Sequence, residues 1–139
     1  MLRFQPEKLL GTLERHQVRY VVIGGVGATL HGSPLHTRDT DICPEPSDSN
    51  LGRLASALRA LEARIRAPDT PAGLPFTCDA AFLRQMKLLN LTTAFGDLDL
   101  SFEPAGTRGY EELEPRSVRY DLGDGVVVPV AALEAPGVF

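Results

Sequence analysis

The feature that most constrains the fold of this chain is a β-branched apolar run that ends in two glycines. Residues 18–25 read VRYVVIGG, with a single charged side chain before Gly24 and Gly25. A strand with so few polar residues is usually buried on both of its faces, as in the sheet of an α/β protein. The run therefore predicts a central strand of such a sheet.

The segments around this strand alternate between helical and extended patterns. Apolar spacing and breaker residues predict helices over residues 5–17, 26–32, 50–65 and 79–86. Runs of β-formers predict a strand at 37–43, two strands within 87–103 and a closing hairpin within 116–133 that turns at 123–125. We expect a single domain over residues 1–139 of the α/β (α+β) class, with helices packed on a small mixed sheet.

The longest predicted helix has one apolar stripe. The stripe consists of Leu51, Leu54, Ala55, Leu58, Leu61 and Ile65. One of three residues is expected to cap its N-terminus: Ser47, Asp48 or Ser49. We assign three arginines to its solvated face: Arg53, Arg59 and Arg66. The proline- and glycine-rich residues 67–75 are expected to form a loop.

Composition argues against several classes of protein. Of 139 residues, 43% are hydrophobic and 23% are charged, and no apolar run approaches the roughly 18 residues of a membrane-spanning helix. Two cysteines and three histidines are too few for a disulfide framework or a structural zinc site. The N-terminus lacks the plan of a secretion signal, so we expect a reduced cytoplasmic protein. A net charge of −4 and 6% aromatic residues argue against a broad nucleic-acid surface.

Two Asp-x-Asp pairs are the candidate metal-binding and catalytic residues of the chain. They are Asp39 with Asp41 and Asp97 with Asp99. On a strand, residues two apart point to the same face, about 6.6 Å apart along the chain. Carboxylates placed in this way can share Mg²⁺, which prefers oxygen ligands and completes its shell with water and substrate phosphates. Gly24 and Gly25, without Cβ atoms, let a phosphate approach the backbone.

Each of these features alone is more often structural. Paired glycines after a strand usually form only a tight turn, and a single Asp-x-Asp is usually a solvated strand face. Their arrangement is more specific, because the glycines are followed by residues 26–38 and then by Asp39, Thr40, Asp41 and an apolar residue. This pattern resembles the signature of the nucleotidyltransferase superfamily typified by DNA polymerase β.

The resemblance extends to bacterial minimal nucleotidyltransferases and the related AbiEii-type toxin–antitoxin enzymes. It covers residues 18–133 through the stretches IGGVGATLHGSPLHTRDTDI, TTAFGDLDLSFEPAGTRGYEEL and VVVPVAAL, and it is strongest in 22–42 and 93–109. It implies that a nucleoside triphosphate binds at four positions: Gly24, Gly25, Thr37 and Arg38. It also implies that Mg²⁺, or Mn²⁺ in its place, binds at Asp39, Asp41 and Asp99, and that Asp99 activates an acceptor hydroxyl. The acceptor is left open between a small molecule, a tRNA end and a protein side chain.

The sequence departs from that family at several points. Thr40 replaces an aliphatic residue, and Leu35 stands where many relatives carry an arginine that Arg38 would have to replace. After VAALE the chain ends in APGVF rather than in a basic helix. Three interpretations stay open: the domain is truncated at its C-terminus, a homodimer or a cognate partner protein covers the exposed face, or activity has been lost. Asp99 is preferred to Asp97 as the third carboxylate because it lies deeper in its strand, whereas Asp97 follows a turn glycine and is expected to be solvated.

Two alternative functions stay open. One is a nucleotidyltransferase-fold protein that binds without catalysing, as a binding subunit or half of a toxin–antitoxin pair. The other is a dinucleotide-binding fold, which rests on Gly25-x-Gly27 and lacks the third glycine, since Leu30 stands there. We expect His31 to have a packing role and Cys43 to be a small core residue rather than a nucleophile.

Overall fold

The computed structural model describes residues 4–30 and 39–132. Within these ranges the helices are α1 (Pro6–Arg15), α2 (Gly24–Leu30), α3 (Asp48–Ala60), α4 (Ala80–Arg84), α5 (Tyr110–Leu113) and a 3₁₀ turn at Glu114–Arg116. The strands are β1 (Tyr20–Ile23), β2 (Asp39–Pro44), β3 (Arg64–Ala67), β4 (Thr70–Leu74), β5 (Leu88–Thr93), β6 (Gly96–Ser101), β7 (Val118–Asp121) and β8 (Val127–Val130). None of the helices in these ranges is both long and apolar enough to cross a membrane.

All eight of these strands form one sheet in the order β4-β3-β5-β6-β2-β1-β8-β7. Most neighbours are antiparallel, but β2 pairs with β6 and β1 pairs with β8 in parallel. The mixed sheet with helices packed on it confirms the predicted fold class. β1 lies near the middle and is buried at every position, as its apolar sequence predicted.

One face of the sheet carries the main core. Helices α1, α3 and α4 supply fully buried leucines to it, among them Leu10, Leu54 and Leu83. Alternate residues of the strands meet them, for example Ile42 of β2 and Leu98 of β6, both with no exposed surface. Because side chains alternate across a strand, the residues on either side of Ile42 and Leu98 point to the opposite face.

The opposite face is covered only in part. A smaller cluster of buried residues lies there: Val21, Ile23, Cys43, Leu113 and Ala131. It covers β1 and the end of β2, with α5 packed over it. The start of β2 and the neighbouring strands β6, β5 and β3 keep half-buried or exposed polar side chains on this face.

The start of α3 is fixed by a buried asparagine. Ser47 is the N-cap, one of the three residues predicted for this role, and its hydroxyl accepts from the backbone N–H of Asn50. The side chain of Asn50 has no exposed surface and bonds the backbone N–H and C=O of Arg19 and the C=O of Glu45. Asn50 therefore ties α3 to the segments before β1 and after β2.

The prediction for residues 61–75 was wrong in two respects. Helix α3 ends at Ala60 rather than at 65, because Glu62 adopts a left-handed conformation with φ 56°. The expected loop at 67–75 belongs instead to the hairpin of β3 and β4. β4 is an edge strand in the described sheet, and an edge strand tolerates Pro71 because one side of its backbone needs no ladder bond.

Leu61 and Ile65 fitted the helical stripe because both still face the main core, one from the end of the helix and one from β3. Helix α2 begins at Gly24 rather than at residue 26, and residues 31, 32, 37 and 38 of the predicted helix and strand lie outside the described ranges. The other elements lie close to their predicted bounds. The 87–103 segment forms the β5–β6 hairpin, and the closing hairpin of β7 and β8 turns at 123–125 through left-handed residues, as expected.

Candidate active site

Two Asp-x-Asp pairs lie side by side on the partly covered face. The parallel pairing of β2 with β6 places Asp39 opposite Asp97 and Asp41 opposite Asp99. Thr40 and Leu98, the residues between them, are fully buried on the other face. The register thus brings four carboxylates onto one patch of the sheet, including the three predicted from sequence to act together.

The end of β1 supports one of these carboxylates. Ile23 pairs with Asp41, and Gly24 follows with a left-handed φ of 72°. A Cβ atom on Gly24 would lie 2.8 Å from Cγ of Asp41, so only glycine leaves room for this carboxylate. Gly24 and Gly25 begin α2 directly after the strand, half-buried beside the acidic patch.

Arg66, which the sequence predicts on the solvated face of a helix, lies instead at the acidic patch. Arg66 lies on β3 and donates from Nη2 to Oδ1 of Asp99 at 2.6 Å. Its Nη1 lies 3.1 Å from Oδ2 of Asp97 and donates to the backbone C=O of Leu91 at 3.2 Å. The prediction for Arg66 was wrong because α3 stops before it. The alternation of Arg64, Ile65 and Arg66 could have indicated a strand with one apolar face.

Burial and neighbouring negative charge raise the pKa of two of these carboxyl groups, Asp39 and Asp41. Burial, a hydrogen bond with Asp99 and the negative charges of Asp99 and Asp39 raise the pKa of Asp41 to about 7, against a partial opposing effect of Arg66. Burial and the charge of Asp99 also raise the pKa of Asp39 above its ordinary value. Like charges close together favour protonation of one of them, so the patch holds a proton or a cation more readily than isolated carboxylates do.

The donor atoms of this patch suit a hard divalent cation in their chemistry, since carboxylate oxygens are the ligands that Mg²⁺ prefers. As the side chains lie, however, no three His, Cys, Asp or Glu residues of the described ranges are placed to hold a metal ion together. Arg66 engages Asp97 and Asp99 instead. The arrangement is that of an acidic cluster partly neutralised by its own guanidinium group.

A comparison with solved structures shows a similarity in fold. A Thermotoga maritima protein provisionally described as a nucleotidyltransferase, solved at 1.87 Å, superposes with a TM-score of 0.56. The match covers 94% of this chain and 81% of that chain at 16% sequence identity. The chain has a nucleotidyltransferase-like fold. No protein-family model matches the sequence, and no curated protein matches it either.

In this nucleotidyltransferase-like fold the predicted site residues fall into two groups. Gly24, Asp39, Asp41 and Asp99 come together at the carboxylate patch with Gly25 beside them. The other group lies outside the described residues: the proposed nucleotide contacts Thr37 and Arg38, and with them His31 and Leu35.

The ranking of Asp99 over Asp97 agrees with their exposure. The side chain of Asp99 is 21% exposed and that of Asp97 is 33% exposed. Asp97 is nevertheless ion-paired with Arg66 rather than simply solvated, which corrects the expectation for a turn residue. Cys43 has no exposed surface, and burial raises the pKa of its thiol to about 12, as expected for a core cysteine.

Proposed function

We propose that the protein is a metal-dependent nucleotidyltransferase that moves a nucleoside monophosphate from an NTP to an acceptor hydroxyl. The observation that carries this proposal is the place of Asp41, which lies beside Asp99 through the register of β2 with β6 and against Gly24 through the pairing of β2 with β1. This juxtaposition combines a half-buried glycine turn with paired carboxylates on the partly covered face of the sheet. The nucleotidyltransferase-like fold supports it.

The residues of the patch have separate proposed roles in binding the metal ion and the nucleotide. Asp39 and Asp41 would hold Mg²⁺ with Asp99 as the third ligand, and Gly24 and Gly25 would contact the triphosphate through their backbone. When bound, the ion neutralises phosphate charge and polarises the phosphoryl group. Thr37 and Arg38 are proposed nucleotide contacts on the strength of the resemblance alone.

Asp99 is the proposed base. Its carboxylate accepts the proton of the acceptor hydroxyl as that oxygen forms a bond to the α-phosphorus. The bond between the α-phosphorus and the bridging oxygen breaks, and pyrophosphate leaves. Positioning and charge neutralisation supply most of the rate in such a transfer, with general base catalysis adding to them.

The test is transfer of label. The full chain is incubated with each of four α-labelled NTPs, Mg²⁺ or Mn²⁺, and a cell extract that supplies acceptors. We expect one labelled macromolecule or metabolite with the parent protein and none with Asp41→Asn. Folding of the variant is checked by circular dichroism. If Asp41→Asn transfers label as fast as the parent, the proposed role of this residue is wrong.

A non-catalytic binding role is the second candidate, and the contact of Arg66 with Asp99 favours it. The carboxylate proposed as the base already accepts from a guanidinium group in place of an acceptor hydroxyl. In this case the protein would be a binding subunit or half of a toxin–antitoxin pair of the AbiEii type. Protection against thermal unfolding by Mg²⁺ and an NTP, with no label transferred to any acceptor, would support it, since a ligand of the folded state stabilises that state.

A further inference from the structure

The acidic patch is contacted by a positively charged side chain of the same chain, that of Arg66. The guanidinium of Arg66 contacts Oδ1 of Asp99, Oδ2 of Asp97 and the C=O of Leu91. Arg66 reaches these groups from β3, across the intervening strand β5. It therefore lies at the rim of the patch, with the four aspartates of β2 and β6 on one side.

We propose that Arg66 is an exchangeable counter-ion, which neutralises Asp99 in the metal-free protein and is displaced from it when a divalent cation binds. This inference rests on the proposed function, because it takes the carboxylate patch to be the divalent-cation site. Arg66 is a positioning residue in this scheme, since it acts through Asp99 and not on the reacting atoms.

The contacts of Arg66 favour exchange over a fixed structural role. About a third of its side chain is exposed (32%), and it comes from the second strand from the sheet edge, so solvent can replace a contact that the guanidinium gives up. Its second nitrogen is held by Asp97 and by Leu91, neither of which is one of the three proposed ligands. Release from Asp99 therefore leaves the guanidinium anchored at the rim of the site.

In this arrangement Asp97 and Asp99 have different roles. Asp99 is shared between the guanidinium and the divalent cation, whereas Asp97 retains Arg66 during the exchange. Without Arg66, the metal-free patch would place four carboxylates together, and no other positive side chain within residues 4–30 and 39–132 forms an ion pair with Asp99. After exchange, the freed charge would lie where it can meet an anionic nucleotide.

The chain supplies a matched control on the same strand. Arg64 lies two residues before Arg66 and pairs with Thr92 in the ladder, so it shares the strand face and the net charge. Within the described part of the chain it forms no ion pair with a carboxylate. A change in cation affinity caused by net charge alone would appear equally in Arg64→Gln and Arg66→Gln.

The experiment measures binding of Mn²⁺ without nucleotide, from the loss of the free-ion signal in electron paramagnetic resonance. We expect Arg66→Gln to bind Mn²⁺ about tenfold more tightly than the parent, because a competing charge has been removed. Arg66→Lys should fall between the two, and Arg64→Gln should stay within about twofold of the parent. An unchanged or weaker affinity in Arg66→Gln, or an equal gain in Arg64→Gln, would overturn the proposal.

A second measurement uses the parent protein and does not depend on a variant's stability. The Nε–Hε resonance of Arg66, assigned by its absence in Arg66→Lys, is followed by NMR as Mg²⁺ is added. We expect it to shift with the same midpoint as Mg²⁺ binding while that of Arg64 stays in place. A stationary Arg66 resonance in a protein that binds Mg²⁺ would refute exchange and leave the proposed function standing. A protein that binds neither Mg²⁺ nor Mn²⁺ would refute both.

Discussion

The carboxylate of Asp41 packs directly against the Cα of Gly24. A Cβ atom at that glycine would lie 2.8 Å from Cγ of Asp41, and its φ of 72° is in the left-handed region. Ile23 at the end of β1 and Gly24 at the start of α2 thus pack against the side chain of Asp41 on the neighbouring strand β2. This contact couples the glycine turn to the acidic patch, and it can be tested separately from the rest of the fold.

Replacing Gly24 with alanine should damage both stability and function. The left-handed backbone and the displaced carboxylate should together lower the free energy of unfolding by about 2–3 kcal/mol. Urea denaturation in the absence of metal measures this loss, and the label-transfer assay should show no product under conditions in which the variant is still folded.

Gly52→Ala is the matched control. Gly52 lies inside α3, and a Cβ there would meet nothing within 4 Å. Alanine at an open helix position should raise stability by about 0.5–1 kcal/mol and leave label transfer unchanged. Equal losses in Gly24→Ala and Gly52→Ala would contradict the specific role of the Gly24 contact.

The ionisation of Asp41 should destabilise the metal-free protein as the pH rises. Its pKa is about 7 in the folded protein against an ordinary value of 3.8, so between these values the folded protein holds a proton that the unfolded chain has released. The associated stability is fully present below pH 3.8 and is lost as the pH passes 7. Solvent screening of this half-buried site limits the loss to the order of 2 kcal/mol.

Asp41→Asn isolates this effect. Asparagine stays neutral and can still donate to Asp99, so the variant should be more stable than the parent at pH 8 and no more stable near pH 4. Urea unfolding in EDTA at several pH values measures the difference. Parallel stability profiles for parent and variant across this range would show that Asp41 does not titrate as described.

The two aspartates of β6 should differ in their effect on transfer. Asp99→Asn removes the proposed base and should lower the transfer rate at least about 100-fold. Asp97→Asn removes only an anchor of Arg66 and should lower it less than about tenfold. Rates at saturating NTP compare the two. A larger loss in Asp97→Asn would mean that the third carboxylate has been assigned to the wrong residue.

The buried amide of Asn50 should be important for stability but not for chemistry. Asn50→Ala leaves the backbone N–H of Arg19 and the C=O of Glu45 without their side-chain partner. Loss of these buried bonds should cost about 3 kcal/mol in thermal or urea unfolding. Ser49→Ala, at an exposed neighbouring position, should change stability by no more than about 0.5 kcal/mol. Similar losses of stability in both variants would show that the hydrogen bonds of the Asn50 side chain do not fix the position of α3.

Much of the fold follows from short-range patterns. The apolar run before Gly24 predicts a strand buried on both faces, and the Ser47 cap with the apolar stripe after it predicts most of α3. The same reasoning failed at residues 61–67, because Leu61 and Ile65 satisfy a helical stripe and also satisfy a strand on the same core. Only the backbone at Glu62, with its left-handed conformation, distinguishes the two.

The sequence by itself determined which acidic residues share a strand face, since alternation along a strand is a local property. The tertiary structure alone decided that Asp39 pairs with Asp97 and Asp41 with Asp99, because a parallel register joins strands through contacts distant in sequence. It also decided the place of Arg66, which meets Asp99 across 33 residues of chain. Such long-range pairings depend on how the whole sheet is ordered, and no local pattern of residues specifies that order.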